Sequence, residues 1–102
     1  MDARESTLRD MIRDFPESPL PHFSLGNYLL EVARYDEAIA SLEAALGLDP
    51  QYAAALLALG DARAAIDEKD AAREAYERCA AAGIAQGHPE LAQDARNRIE
   101  DL

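Results

Sequence analysis

The residues that could carry out catalysis are few in this sequence of 102 residues. An enzyme site needs a nucleophile beside a base, paired carboxylates in a cleft, or a set of metal ligands. The sequence contains two histidines, His22 and His88, and one cysteine, Cys79. No pair of these residues has metal-ligand spacing, and no glycine-rich loop follows a strand to hold phosphate. We therefore predict no enzymatic activity, no cofactor and no metal site.

The same residue types have structural interpretations. His88 precedes Pro89, which is favoured at the first position of a helix, so His88 is expected at a helix start. Cys79 falls on a small-residue packing position, where a buried cysteine behaves as a small hydrophobic residue. Four acidic residues fall at expected helix starts, where negative charge suits the helix dipole. They are Asp36, Glu37, Glu68 and Asp70.

Composition and charge exclude several classes of protein. The chain carries 20 acidic and 10 basic side chains, a net charge of -10, which opposes binding to nucleic acid or to an anionic membrane. No stretch approaches the roughly 18 apolar residues of a membrane helix, and the N-terminus lacks the basic and apolar regions of an export signal. A single cysteine suits a reducing compartment, so a cytoplasmic location is expected. Nine arginines against one lysine, with abundant alanine, indicate a bacterial source.

Alanine is common and Val and Thr are scarce, which favours closely packed helices over strands. Proline and glycine break the chain at 16–21, 47–50 and 83–89. The two long segments between these breaks each carry a polar interruption and are therefore predicted to form helical hairpins. With one helix before them and one after them, the chain is predicted to be all-α with about six helices.

The opening helix is predicted over about 2–14. Asp2 is its expected N-cap, and Glu5 would complete a capping box. Four residues would form its apolar face: Leu8, Met11, Ile12 and Phe15.

The chain matches itself when shifted by 34 residues. Leu25-Gly26 recurs as Leu59-Gly60. Other matching pairs are Asp36 with Asp70, Ala38 with Ala72, and Glu43 with Glu77. A glycine inside a helix costs about 1 kcal/mol relative to alanine, so its recurrence indicates close contact between helices.

This pattern resembles the tetratricopeptide repeat, a 34-residue unit that carries a Leu-Gly pair, then A-x3-F, then a closing proline. The first copy reads His22, Leu25-Gly26, Leu29, Ala38, Leu42, Ala45 and Pro50. The second reads Leu56, Leu59-Gly60, Arg63, Ala72, Tyr76 and Cys79, with Ile84 in place of the proline. The resemblance implies a right-handed superhelix of stacked hairpins in a single domain: a half-repeat helix (2–15), repeat one (19–52), repeat two (53–86) and a capping helix (88–102).

Two residues depart from the family pattern. His22 stands where the family often has tryptophan, which implies packing at the hairpin mouth. Arg63 replaces an aromatic residue on a face expected to meet the last helix. We expect Arg63 either to reach Glu90 or Asp94, or to remain solvated with its stem covering apolar surface.

In this family the first helices of successive repeats line a concave groove that holds a partner peptide or helix. The resemblance nominates Leu20, Phe23, Ser24, Asn27, Leu30 and Glu31 in repeat one, and Ala54, Leu57, Ala58, Asp61, Ala64 and Ala65 in repeat two. Spacing of three to four residues places each set on one helix face. The alternative is that the large apolar members belong to the core or lie under the last helix.

The groove positions contain no Lys or Arg, so the family's clamp for a C-terminal carboxylate is not expected. Phe23, Leu30 and Leu57 as anchors, with Glu31 and Asp61 at the edge, suit an apolar peptide or helix with basic flanks. We therefore predict a non-enzymatic protein–protein interaction module. The alternatives are a homodimer, an accessory subunit of a larger complex, including an enzyme regulator, and an enzyme that uses Cys79.

Overall fold

The computed structural model describes residues 2–102 and consists of helices and turns, with no strand in that range. The six helices are α1 (Ala3–Asp14), α2 (Pro19–Glu31), α3 (Tyr35–Leu48), α4 (Ala53–Ala65), α5 (Lys69–Ala85) and α6 (Pro89–Asp101). The predicted all-α class, the number of helices and the division of both long segments into hairpins are confirmed.

The helices stack in chain order. Helices α2 and α3 form one hairpin and α4 and α5 the next, while α1 packs on α2 and α6 packs on α5. The main core lies between the two hairpins and α6, and a smaller cluster lies between α1 and the first hairpin. Each element therefore buries one face against its neighbours along the stack, as the 34-residue period requires.

At the repeated glycines, the two helices of each hairpin are in close contact. A Cβ atom on Gly26 would lie 2.7 Å from Cδ2 of Leu42, and one on Gly60 would collide with the ring of Tyr76. Leu42 and Tyr76 occupy the same position of their repeats and are both buried. The expectation that these glycines permit close helix contact is confirmed.

Three helices end in the same hydrogen-bonded turn. At the end of α2, the N–H of Ala33 donates to the carbonyl of Leu30, and the N–H of Arg34 donates to that of Leu29. This is the Schellman arrangement, and it places Ala33 in the left-handed region at φ 62°. Asp67 after α4 (φ 63°) and Gly87 after α5 (φ 76°) repeat it. The residue after each turn is the N-cap of the next helix, so a fixed turn sets the geometry of each hairpin.

Helix α5 is longer than its counterpart α3, with 17 residues against 14. It continues through Ile84, which stands where the first repeat has its closing proline. Without a proline ring to stop it, the helix extends until Gly87 forms the turn. His88 is then the N-cap residue of α6, as expected, although its side chain makes no capping hydrogen bond.

The expectations for α1 need two corrections. Asp2 caps the helix by accepting from the N–H of Glu5 at 2.8 Å, but the Glu5 side chain does not complete the capping box. It is buried and binds Arg34 of the next hairpin at 2.7 Å and Arg9 at 3.0 Å. This ion pairing holds the pKa of Glu5 below its usual value, with Arg34 as the main cause.

The apolar face of α1 is also narrower than predicted. Leu8 and Ile12 pack against the small cluster, whereas Met11 and Phe15 are 37% and 60% exposed. Helix α1 contacts only α2 among the other helices, so one narrow stripe is enough to cover its neighbour. Polar contacts supply the rest of its attachment: the Tyr28 hydroxyl donates to Asp2, alongside the pairing of Glu5 with Arg34.

Candidate functional site

The nominated residues of α2 and α4 differ in exposure. Leu20, Asn27, Glu31 and Ala65 are exposed. Phe23, Ser24, Leu30, Ala54, Leu57, Asp61 and Ala64 are half-buried. Ala58 is 6% exposed and belongs to the main core, so it offers little surface. The remaining nominated positions have surface available to a partner.

Three large apolar side chains give this face its character. Phe23, Leu30 and Leu57 pack against the main core on one side and keep part of their surface exposed on the other. The Phe23 ring also packs on the ring of Tyr52, with centroids 5.1 Å apart and planes tilted by 34°. Tyr52 is the N-cap residue of α4, so this contact joins the two hairpins beside the apolar face.

A recess of about 270 Å³ extends this surface toward α6. Its lining includes Tyr52 and Ala54 at the start of α4 and Leu91 on α6. The carboxylate of Asp49 also lines it, and burial together with this carboxylate raises the pKa of Tyr52 above its usual value. Tyr52 is therefore a neutral hydrogen-bonding group next to the apolar surface at neutral pH.

Both acidic residues of the nominated set are paired with arginines from the terminal helices. Asp61 accepts from Arg98 Nε of α6 at 2.8 Å and from the Tyr76 hydroxyl of α5 at 2.6 Å. Glu31 accepts from Arg4 Nη1 of α1 at 3.2 Å. The sequence placed both carboxylates at the groove edge, but no pattern in it revealed which arginines would reach them.

Arg63 takes neither of the two partners expected from the sequence. Its guanidinium lies 2.7 Å from Glu68 and 3.7 Å from Glu43, so the prediction of Glu90 or Asp94 is wrong. The side chain is 26% exposed, and the charge is paired within the two repeats instead of with α6. It is Arg98 of α6 that bridges to α4, through Asp61.

The cysteine and the two histidines considered for catalysis lie in different surroundings. Cys79 is buried beneath α6, with Sγ 4.0 Å from the carbonyl oxygen of Leu91, and burial raises the pKa of its thiol. His88 Nδ1 lies 3.3 Å from Glu90, and His22 is half-buried on α2. Within residues 2–102, no group of three or more His, Cys, Asp and Glu side chains is placed to hold a metal ion. No helix in that range is long and apolar enough to cross a membrane.

Comparison with known proteins agrees with the internal period. Residues 34–67 match the family model described as TPR repeat, where TPR stands for tetratricopeptide repeat. The matched range joins the second helix of the first hairpin to the first helix of the second. Residues 34–67 therefore form a tetratricopeptide repeat. Among curated protein sequences, none matches it.

Solved structures extend the tetratricopeptide fold over nearly the whole chain. A protein of Bordetella parapertussis with a solution structure is 28% identical, with a TM-score of 0.84 over 99% of this chain and 88% of that one. The TPR2B domain of yeast Sti1, in a complex with pHsp70, is 21% identical, with a TM-score of 0.76 over 92% and 81%. YrrB, a TPR protein with an unusual peptide-binding site, is 20% identical, with a TM-score of 0.69 over 93% and 56%.

Proposed function

We propose that this tetratricopeptide-repeat protein is a non-enzymatic interaction module that binds a peptide or helix on the face of α2 and α4. The observation that carries the proposal is the half-buried state of Phe23, Leu30 and Leu57. Because each side chain is fixed by the core yet keeps exposed surface, a partner would gain apolar contact without ordering these anchors. Rigid, partly exposed anchors of this kind are typical of binding hot spots.

Two of the structural neighbours support this kind of activity. The Sti1 domain is in a complex with pHsp70, and YrrB has a peptide-binding site. Both neighbours are tetratricopeptide proteins of similar architecture, so a peptide is a reasonable class of ligand for the present chain.

The proposed partner is apolar with basic flanks. The chain carries a net charge of -10, and the nominated face contains Glu31 and Asp61 but no basic residue. Long-range attraction by this charge would raise the association rate of a basic peptide, with an effect that declines as salt is added. An acidic peptide would be repelled by the same field.

A series of fluorescent peptides with one apolar stripe and varied flanks tests the proposal. Flanks of arginine, glutamine or glutamate change the charge alone, and anisotropy titrations should rank their affinities in that order. Leu57→Asp should weaken the arginine-flanked peptide tenfold or more, because a hot-spot residue contributes about 2 kcal/mol or more. Leu48→Asp is the matched control, since Leu48 is an exposed leucine at the end of α3, outside the nominated face.

Equal affinity for the three peptides would contradict the charge preference. Equal affinity for the Leu57 and Leu48 variants would place the binding surface elsewhere. Circular dichroism of both variants, and the milder Leu57→Ala, separate loss of contact from loss of fold.

Self-association is the second candidate, and exposed apolar residues outside the groove favour it. Phe15 and Ile84 are 60% and 55% exposed. A second copy that covers them would bury apolar surface that a monomer leaves in water. Light scattering coupled to size exclusion distinguishes the two cases, since a monomer has a mass of 11.1 kDa and a dimer twice that value. A concentration-dependent dimer disrupted by Phe15→Ser or Ile84→Ser would favour this candidate.

A further inference from the structure

The carboxylate of Asp61 lies on the nominated face but is already occupied from within the protein. Arg98 Nε and the Tyr76 hydroxyl both donate to its Oδ1 atom, at 2.8 Å and 2.6 Å. Arg98 Nη1 lies 3.4 Å from the carbonyl oxygen of Asp94, one turn earlier on α6. The guanidinium of Arg98 therefore occupies the position at Asp61 that a basic group of a partner would take.

We infer that Arg98 is an intramolecular competitor that sets the affinity of the groove for basic partners. The inference rests on the proposed function and deepens it, because it names the residue that limits the charge preference. In the free protein Arg98 neutralises Asp61. In the complex, an arginine or lysine of the partner replaces Arg98 at the carboxylate.

The exposure of the pair makes such an exchange feasible. The side chains of Arg98 and Asp61 are 38% and 31% exposed, so water and salt screen their attraction. The exchange replaces one cation by another and leaves no buried charge unpaired, which avoids the large penalty of breaking a buried pair.

Asp61 itself is held in place independently of Arg98. Tyr76 is 2% exposed, and its hydroxyl donates to Asp61. Burial, together with this hydrogen bond to the carboxylate, raises the pKa of Tyr76 far above its usual value. The tyrosine therefore remains protonated and keeps donating when Arg98 leaves.

Glu31 offers a weaker version of the same arrangement. Arg4 pairs with it at 3.2 Å, and the two side chains are 60% and 56% exposed. Arg4 also lies over the Tyr28 ring, 4.9 Å from its centroid, which gives the guanidinium a second contact. Greater exposure means a weaker pair and a smaller competing effect, below about twofold.

The test compares Arg98→Gln with Arg96→Gln, which makes the same change in net charge at an exposed position of the same helix. Two probes are used: the arginine-flanked peptide, and N-acetyl-arginine amide at millimolar concentration. The small probe requires no apolar groove, so it tests exchange at Asp61 even where the peptide fails to bind. Chemical shifts of Asp61 and of the Arg98 Nε–H group report occupancy directly.

Arg98→Gln is expected to strengthen binding of the arginine-flanked peptide by about 1.5- to fivefold over Arg96→Gln, the range for one partly exposed ion pair. In the wild type, either probe should shift the Arg98 Nε–H signal toward that of a free guanidinium. Asp61→Asn should remove the gain from Arg98→Gln.

Equal affinities of the two glutamine variants, or an Arg98 signal that does not move with N-acetyl-arginine amide, would overturn the inference. Weaker binding by Arg98→Gln with an unchanged melting temperature would also overturn it, because Arg98 would then support the partner. A peptide that binds with dependence on Leu57 but shows no exchange contradicts only this inference. Exchange by the small probe without peptide binding contradicts only the proposed function.

Discussion

The contact of Gly60 with Tyr76 allows a worked prediction about what holds each hairpin together. Replacing Gly60 by alanine adds one methyl group in the middle of α4. In an open helix this change stabilises by about 1 kcal/mol. Here the added Cβ would collide with the Tyr76 ring, whose hydroxyl is fixed by Asp61 at 2.6 Å and whose side chain is 2% exposed.

The steric cost should exceed the gain in helix propensity. Overpacking a core costs about 1–3 kcal/mol, and a ring held at both ends has little room to move. We expect Gly60→Ala to lower the free energy of unfolding by up to about 2 kcal/mol in net terms. For a domain of this size that corresponds to a fall in Tm of up to about 12 °C.

Gly47→Ala is the control, because Gly47 lies in the last turn of α3 and a Cβ there would meet nothing within 4 Å. It should raise stability by up to about 1 kcal/mol in urea unfolding. In a Tyr76→Leu background, which copies the Gly26 and Leu42 pair of the first repeat, the cost of Gly60→Ala should fall. If Gly60→Ala stabilises as much as Gly47→Ala, close approach at the glycine is not what positions the helices.

Three further predictions concern the turns, the attachment of α1 and the cysteine. Ala33→Gly should stabilise the protein by about 0.5–1 kcal/mol because φ at this residue is 62°. Ala40→Gly, on the exposed face of α3, is the control and should destabilise the protein by about 1 kcal/mol. If urea unfolding ranks the two variants the other way, the turn assignment is refuted. Glu5→Gln should lower Tm at pH 7, because the pKa of Glu5 is depressed in the folded protein by its pairing with Arg34. The wild type is therefore more stable than the variant above the unfolded pKa near 4.5, and this difference should vanish as the pH falls through the lower folded pKa. A difference in Tm that does not depend on pH would argue against the pairing with Arg34. Cys79 is buried, so a thiol reagent should modify it only when the protein unfolds locally, and the modification rate should rise with urea concentration. Rapid modification in native buffer would contradict the burial of Cys79.

Much of the fold follows from local signals in the sequence. The 34-residue period identifies both hairpins because Leu25-Gly26 and Leu59-Gly60 mark the same close contact twice. The proline and glycine breaks locate the helix ends to within a few residues, since these residues act on the backbone directly. The extension of α5 through Ile84 follows from the missing proline, although the sequence alone does not say where the helix stops.

The ion pairs could not be predicted in the same way. Glu5 is consistent with a capping box, yet its carboxylate turns toward Arg34, whose position depends on the turn after α2. Arg63 reaches Glu68 across its own hairpin, while Arg98 reaches Asp61 from α6. A long charged side chain has several partners within reach, and the packing angle between the helices determines which partner it contacts. That angle cannot be deduced from the spacing of residues in the sequence.

The extent of apolar faces shows a related difficulty. Met11 and Phe15 share the helical spacing of Leu8 and Ile12 but remain exposed, because α1 has a single neighbour. On α4, the same kind of spacing places Ala58 in the core and leaves Leu57 half-buried. Periodicity identifies a face, and the number of neighbours determines how much of that face is covered.

Mapping of the binding surface by NMR tests the central claim most directly. A ¹⁵N-labelled sample would be titrated with the arginine-flanked apolar peptide, with the glutamate-flanked peptide as a reference. We predict that the amide shifts of Phe23, Asn27 and Leu57 change with the basic peptide and that Leu48 on α3 does not respond. Shifts confined to α3 and α5, or the same changes produced by dilution alone, would contradict a peptide-binding face on α2 and α4.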